Sequence, residues 1–265
     1  LIITFRRKKI CSCICNNINM KTNKILESIY ENIKTLIGAL LIAVLIRSLL
    51  FQPFYIPSSS MEPTLLVGDR IFVSKYTYGY SKHSFPFSPN ITNERFFSKP
   101  AKRGDLVVFK TPADNRTDYI KRLIGMPGDT IQFNEGEILI NDKKIPRKLV
   151  ANKKLVRCGN FLLETNTYIE TLPNGIEHLV TYKKQGSLQN SKVFKVPTNH
   201  YFLLGDNRDC SKDSRYLDSV GYVNSVNLVG EAKLIFFSND TKISSLLKFW
   251  NLNKSFRAER LFKGL

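Results

Sequence analysis

Three consecutive serines, Ser58, Ser59 and Ser60, stand in the stretch IPSSSMEPTLLVGD, residues 56–69. A serine run usually marks a solvated turn. Here it is followed by Met61, an acid, Pro63 and an apolar run, so one hydroxyl is a candidate nucleophile. Such a hydroxyl is weak until a neighbouring base takes its proton. Only three histidines are present, His83, His178 and His200, and none belongs to a recognisable motif. A Ser-His-Asp triad is assembled in space, so spacing leaves that option open, but nothing in the sequence supports it. The other base on offer is lysine. An ordinary lysine, near ~10.4, is protonated at neutral pH and accepts nothing. Bringing it to about 7 takes ~4.6 kcal/mol of selective penalty on the charged form, which burial among apolar side chains supplies. Lys121, in DYIKRLIGMPGD at residues 118–129, meets that demand, with Ile120 before it and Leu123 and Ile124 shortly after. On a strand its neighbour Arg122 points to the opposite face. By composition alone, Lys121 reads more simply as an exposed strand lysine.

These residues need a scaffold. Residues 33–51, IKTLIGALLIAVLIRSLLF, form an apolar run that spans ~28 Å as a helix, close to the hydrocarbon core of a bilayer. Lys34 and Arg47 lie near its ends, where basic side chains reach headgroups. Pro53 and Pro57 are expected to stop it. A buried core helix is the plain alternative; a cleaved signal peptide fits poorly, because the run is long and starts well inside the chain. Lys21, Lys24 and Lys34 precede the span and favour a cytoplasmic N-terminus. Residues 1–19, with CSCIC, read poorly as a folded segment, and Met20 or a non-standard start codon is expected to begin the natural chain.

After the span the pattern changes to short, β-branched runs bounded by Gly, Pro, Asp or Asn. Strands are predicted at 70–76, 105–110, 119–125, 130–133, 137–141, 200–205 and 231–237. No long amphipathic helix is predicted there. The fold class is therefore all-β, of sandwich or barrel type, behind one N-terminal transmembrane helix. Residues 147–191 are polar and loop-like and read as a smaller inserted cap. The irregular stretch 77–102 is long enough to have a function or to be mobile. The division expected is an N-terminal segment 1–32, the span 33–51, a β core in two parts, 52–146 and 192–239, the cap 147–191, and a tail 240–265. The tail mixes basic and aromatic residues and reads equally as a membrane-interface segment or a frayed end.

The formal charge of +18 points to an anionic partner. It is spread along the chain, without a nucleic-acid-binding motif, so nucleic acid is not expected and a membrane surface is. Of five cysteines, three (Cys11, Cys13 and Cys15) lie in the first 19 residues. That leaves Cys158 and Cys210, too few for a zinc site. A disulfide between those two is open to them if their domain lies outside the cytoplasm. The stretch LLGDNRDCSKDSR, residues 203–215, is acidic enough for a turn or a calcium loop, but lacks the closing acid of an EF-hand.

Taken in order behind one anchor, IPSSSMEPTL, RGDLVVFKTPADNRTDYIKRLIGMPGD and LLGDNRDCSKDSR resemble the three signature stretches of bacterial type I signal peptidases. The resemblance covers the anchor and most of residues 51–237. It implies a serine endopeptidase with Ser60 as nucleophile, Lys121 as general base and Ser58 as oxyanion donor beside the Ser60 N–H. Ser59 stands where glycine is common, which is strained only if its backbone is left-handed. Ser211 matches a serine that hydrogen-bonds the lysine, and Asp213 and Arg215 match a structural ion pair. Cys210 departs from a frequent asparagine. By matched position Ile56, Pro57, Met61, Leu65, Tyr119 and Ile120 are pocket candidates. The resemblance further implies cleavage of signal-peptide-bearing preproteins after small residues at −1 and −3. No metal or organic cofactor is implied. The expected setting is the bacterial inner membrane, single-pass, with the catalytic domain on the outer face near lipid and the translocation machinery. The alternative class is a membrane-anchored β module whose dyad has decayed, although both Ser60 and Lys121 are present.

Overall fold

The structure, a computed structural model, describes residues 2–85, 88–89, 94–159, 161–183, 190–239 and 256–265, with side chains outside the description at residues 2–25, 153, 154 and 157. The chain divides into two compact units, residues 1–47 and 48–265.

The first unit is made by helix α1, Ile2–Leu49, whose last two residues belong to the second. Its stretch Leu26–Leu49 is long and apolar enough to cross a membrane, with mean hydropathy 1.8. The helix differs from the expected span at both ends. Its backbone is helical from Ile2, including residues 2–19, whose composition argued against a folded segment; no Gly or Pro interrupts the chain before Gly38. It also stops at Leu49, short of Phe51. Phe51 opens strand β1, Phe51–Tyr55, and Pro53 lies inside that strand. A proline disfavours helical backbone in the residue before it. β1 is the edge of its sheet, where a missing N–H costs least.

The second unit is all-β. Its further strands are β2 Asp69–Ser74, β3 Leu106–Lys110, β4 Asp118–Gly125, β5 Thr130–Asn134, β6 Glu137–Ile140 and β7 Lys143–Lys144. Then follow β8 Arg147–Cys158, β9 Phe161–Thr171, β10 Glu177–Lys183, β11 Phe194–Lys195, β12 His200–Leu204, β13 Val223–Asn224, β14 Leu228–Ser238 and β15 Lys263–Gly264. The seven predicted strands are all present, with ends shifted by a few residues and the last lengthened to start at Leu228. The main sheet runs β1-β2-β14-β3-β4-β12-β13, with β15 on β14; β11-β5-β6-β7 and β10-β9-β8 form two smaller sheets. All these pairings are antiparallel.

Residues 147–191 correct the sequence reading. They hold three strands of 12, 11 and 7 residues instead of loops. An antiparallel sheet with one wet face tolerates the lysines, threonines and glutamates that made this region look irregular. The irregular stretch 77–102 and the end of the expected cap lie partly outside the described residues, as does most of the expected tail. The end of that tail is built in: Lys263 pairs with Ile235, and Arg260 bonds the buried Asp69.

β3 shows how the core is laid out. Leu106 and Val108 join one apolar cluster with Ile56, Met61, Leu65 and Ile71, while Val107 and Phe109 join another with Leu123, Leu203 and Leu228. The central strand is thus buried on both faces, as its unbroken apolar run requires. β4 lies beside it in register, Val107 opposite Lys121 and Val108 opposite Ile120. This pairing carries Lys121 into the interior.

Candidate active site

Ser60 sits in the loop between β1 and β2, at the end of the serine run. The loop is held from below: Met61 and Leu65 are fully buried in the first cluster. Fully buried Leu and Met side chains each stabilise by about 1.5–3 kcal/mol, so the turn that follows Ser60 is anchored by its apolar residues. Ser59 does not adopt a left-handed backbone, so serine costs nothing where a glycine is common.

Lys121 Nζ reaches Ser60 Oγ at 2.5 Å across 61 residues of sequence. Ser58 Oγ lies 3.3 Å from Ser60 Oγ on the solvent side. Lys121 is 3% exposed. Burial pulls its ammonium down to about 8, against Asp213 and Asp206, which act the other way, with Arg215 adding to the fall. A tenth of the amine is then neutral near pH 7, enough to accept a proton. Among the described residues no histidine hydrogen-bonds Ser60. His83 and His178 are buried, and burial first of all holds both near about 4, hence neutral.

The acidic stretch 203–215 forms the other wall. Asp213 is fully buried and pairs with Arg215 at 2.8 Å, while the Gly205 N–H donates to it at 3.0 Å. Burial alone raises the Asp213 carboxyl; Arg215 and the Gly205 N–H outweigh it and hold it below the ordinary value. Ser211 departs from its expected role. It is buried near Ser60, but its Oγ makes no hydrogen bond among the described residues, to Lys121 or to any other group. Its side chain instead packs on Gly205, where an added Cβ would lie 2.2 Å from Ser211 Oγ and 2.5 Å from the Ser60 carbonyl.

Three residues of this wall escaped the sequence reading. Asn207 donates its N–H to the Ser60 carbonyl at 3.1 Å and its side-chain amide to the Ser59 carbonyl at 3.1 Å. Asp206 is fully buried and accepts two bonds from Arg122, at 2.8 and 2.7 Å, and one from Thr64 at 2.6 Å. Burial raises its carboxyl and Arg122 more than reverses that. The third, Gly205, is needed because nothing larger fits. Arg122 therefore makes its own buried pair one residue after Lys121. The signal was present in the sequence, an acid-amide pair directly after an apolar strand, but partner identity requires the fold.

A cavity of about 440 Å³ opens on Ser60 and Lys121. Ile56, Pro57, Ser58, Ser60, Tyr119, Ile120 and Lys121 line it, together with Cys210 and Lys212. Four of the six expected pocket residues are therefore at the cavity. Met61 and Leu65 are not; they are core residues beneath the loop, fully buried in the cluster that anchors it. Cys158 and Cys210 are joined in a disulfide. Among the described residues no cluster of His, Cys, Asp and Glu has the makings of a metal site.

The family profile described as "Signal peptidase, peptidase S26" matches residues 29–237. The chain belongs to the signal peptidase S26 family. It is 40% identical over 269 residues to signal peptidase I of Rickettsia typhi, covering 94% of this chain and 98% of that one. Signal peptidase I of Rickettsia prowazekii is similar at 39% identity, with the same coverage. A solved signal peptidase I from Enterococcus faecalis V583 is 25% identical over 50% of this chain and 97% of its own, with a TM-score of 0.29. The family match makes this chain a peptidase and includes the apolar helix, the Ser60 loop, β4 and the acidic wall.

Proposed function

We propose that this protein removes N-terminal signal peptides from exported preproteins through a Ser60–Lys121 dyad, while anchored by α1 in the bacterial inner membrane. The observation that carries the reading is the 2.5 Å contact between Lys121 Nζ and Ser60 Oγ in a buried, apolar setting. The neutral amine of Lys121 takes the Ser60 proton as Oγ attacks the scissile carbonyl. Charge on the carbonyl oxygen is met by Ser58 Oγ–H and the Ser60 N–H. The Lys121 ammonium returns its proton to the leaving amine, which departs as the mature N-terminus. Lys121 then draws a proton from water, which opens the acyl-enzyme and frees Ser60. Asp213 and Arg215 shape the surroundings of the lysine without exchanging protons with substrate.

The cavity beside the dyad suits short side chains at −1 and −3, and an extended peptide can add as a strand beside residues 56–58 and 118–120. The short stretch from Leu49 to Ser60 tethers the nucleophile to the anchor. Lys21, Lys24 and Lys34 support a cytoplasmic N-terminus and a catalytic domain on the outer face, close to lipid and to the machinery that delivers preproteins. A disulfide belongs to an oxidising compartment and supports the same side. In this reading residues 147–191 are an inserted cap on a core made of 52–146 and 192–239.

The test is cleavage of a signal-bearing precursor by the full chain in detergent, with the product N-terminus mapped. A single cut after small residues at −1 and −3, lost in Ser60→Ala and in Lys121→Met, is expected. Cleavage that survives either substitution refutes the dyad, and a chain with no cleavage at all is the decayed module instead.

A further inference from the structure

Cys158 ends β8, and Cys210 closes the short 3-10 turn Arg208–Cys210; their Cα atoms are 5.5 Å apart, with a sequence separation of 52. Cys210 lines the cavity that opens on Ser60 and Lys121, whereas Cys158 is not among the lining residues. The Cys210 sulfur lies 3.9 Å from Ser59 Oγ, next to the nucleophile. The disulfide is thus attached at one end to the three-stranded sheet and at the other to the wall of the cavity.

The rest of that turn is braced by polar contacts from the same sheet. Arg208 donates to both oxygens of Glu170, at 2.7 and 2.6 Å, and the Lys183 N–H donates to Asp209 at 2.8 Å. The Thr181 N–H donates to the Asp206 carbonyl at 2.9 Å. Hydrogen bonds of this kind vary in length over a few tenths of an ångström, from about 2.7 to 3.2 Å. The S–S bond does not, and it acts at the one residue of the turn Arg208–Cys210 that faces the cavity.

We propose that the Cys158–Cys210 disulfide is a specificity strut: it fixes the Cys210 part of the cavity wall relative to the rest of the lining, so that small side chains are accepted beside Ser60 and branched ones are refused. The inference rests on the reading of the cavity as the seat of the cleaved peptide. Pockets tell side chains apart by a few methylenes only when their walls do not yield, and that discrimination is worth roughly 10–200-fold. A wall freed to move gives up part of it.

The experiment uses the full chain in detergent and two precursor peptides that differ only in Ala or Val at −1. Each is cleaved by the oxidised protein, by the same protein after dithiothreitol, and by Cys158→Ser. In the reduction step the two dithiothreitol thiols give two electrons and two protons to the S–S bond. The reagent closes to its cyclic disulfide and leaves Cys158 and Cys210 as thiols, counted by mass after alkylation. The expected result is a fall of about tenfold in the Ala-over-Val ratio of kcat/KM, carried by a lower KM for the Val peptide. Turnover of the Ala peptide should change by less than about threefold. A ratio within twofold of the oxidised protein, with both thiols counted, overturns the strut. Equal loss of both peptides in the reduced protein and the variant also overturns it, because the bond is then only a staple of the fold. If the oxidised protein cuts neither peptide, the peptidase reading falls and the strut with it, a result distinct from an unchanged ratio.

Discussion

Lys121→Met should make this protein more stable near neutral pH while abolishing its activity. The lysine is held down to about 8 by burial, whereas an unfolded lysine sits near 10.5. Its folded-state value is depressed, so the folded protein binds the proton less well than the unfolded chain does. Below pH 8 both states are protonated, and the folded state carries the whole penalty, about 3 kcal/mol from a difference of 2.5 in pKa. Between pH 8 and 10.5 the penalty fades, because the folded lysine is already neutral, and above 10.5 it is gone. Methionine has a similar length and no charge, so the substitution removes the penalty. It also removes the hydrogen bond to Ser60, worth about 1 kcal/mol at any pH. The net expectation is a gain of about 2 kcal/mol at pH 7 that falls to about zero at pH 10. Denaturant unfolding of the full chain in one detergent at the two pH values measures it. A variant less stable than the parent at pH 7, or a gap that does not change with pH, refutes the buried, depressed lysine. The same titration governs catalysis, and kcat/KM of the parent should rise about tenfold from pH 7 to 9 as the amine goes from a tenth to nine-tenths neutral.

Three further outcomes follow from named contacts. Ser58→Ala should lower kcat about 10²–10³-fold with KM and melting temperature close to the parent, since Ser58 is exposed and its Oγ lies 3.3 Å from Ser60 Oγ; an unchanged kcat removes it from the oxyanion site. Gly205→Ala should cut turnover sharply, and Ser211→Gly should not rescue it, because the added Cβ still meets the Ser60 carbonyl at 2.5 Å; rescue would mean that Ser211 alone is in the way. Arg260→Ala should cost about 3–5 kcal/mol of unfolding free energy by leaving the fully buried Asp69 without its main cation; a loss below about 1 kcal/mol in denaturant unfolding would show that Ser238 and Arg257 suffice.

Why some of this was legible beforehand is a matter of range. The apolar run before the serines, the strands β2 to β6, β12 and β14, and the pairing of a serine loop with a lysine flanked by apolar residues are local patterns, and local patterns set helix, strand and burial. The meander β8–β10 was misread because one face of an antiparallel sheet can be as polar as a loop, and because Glu170 is buried against Arg208, 38 residues further along the chain. Met61 and Leu65 were assigned to the pocket by position along the chain, yet the turn after Ser60 aims them into the core. The helix end was expected at prolines that turned out to lie in an edge strand and the loop after it.

The sequence by itself determined that an apolar helix precedes a β domain, that a serine run and an apolar-flanked lysine, Lys121, were on offer as nucleophile and base, and that Cys158 and Cys210 were the pair left to join. Tertiary structure decided the rest. It brought Lys121 to 2.5 Å from Ser60 and buried it enough to loosen its proton. It gave Asp206 to Arg122 and the carbonyls of Ser59 and Ser60 to Asn207, and it took the expected lysine contact away from Ser211. Desolvation and hydrogen bonding depend on distances between segments many residues apart, and such distances exist only once strands from both ends of the domain share one sheet.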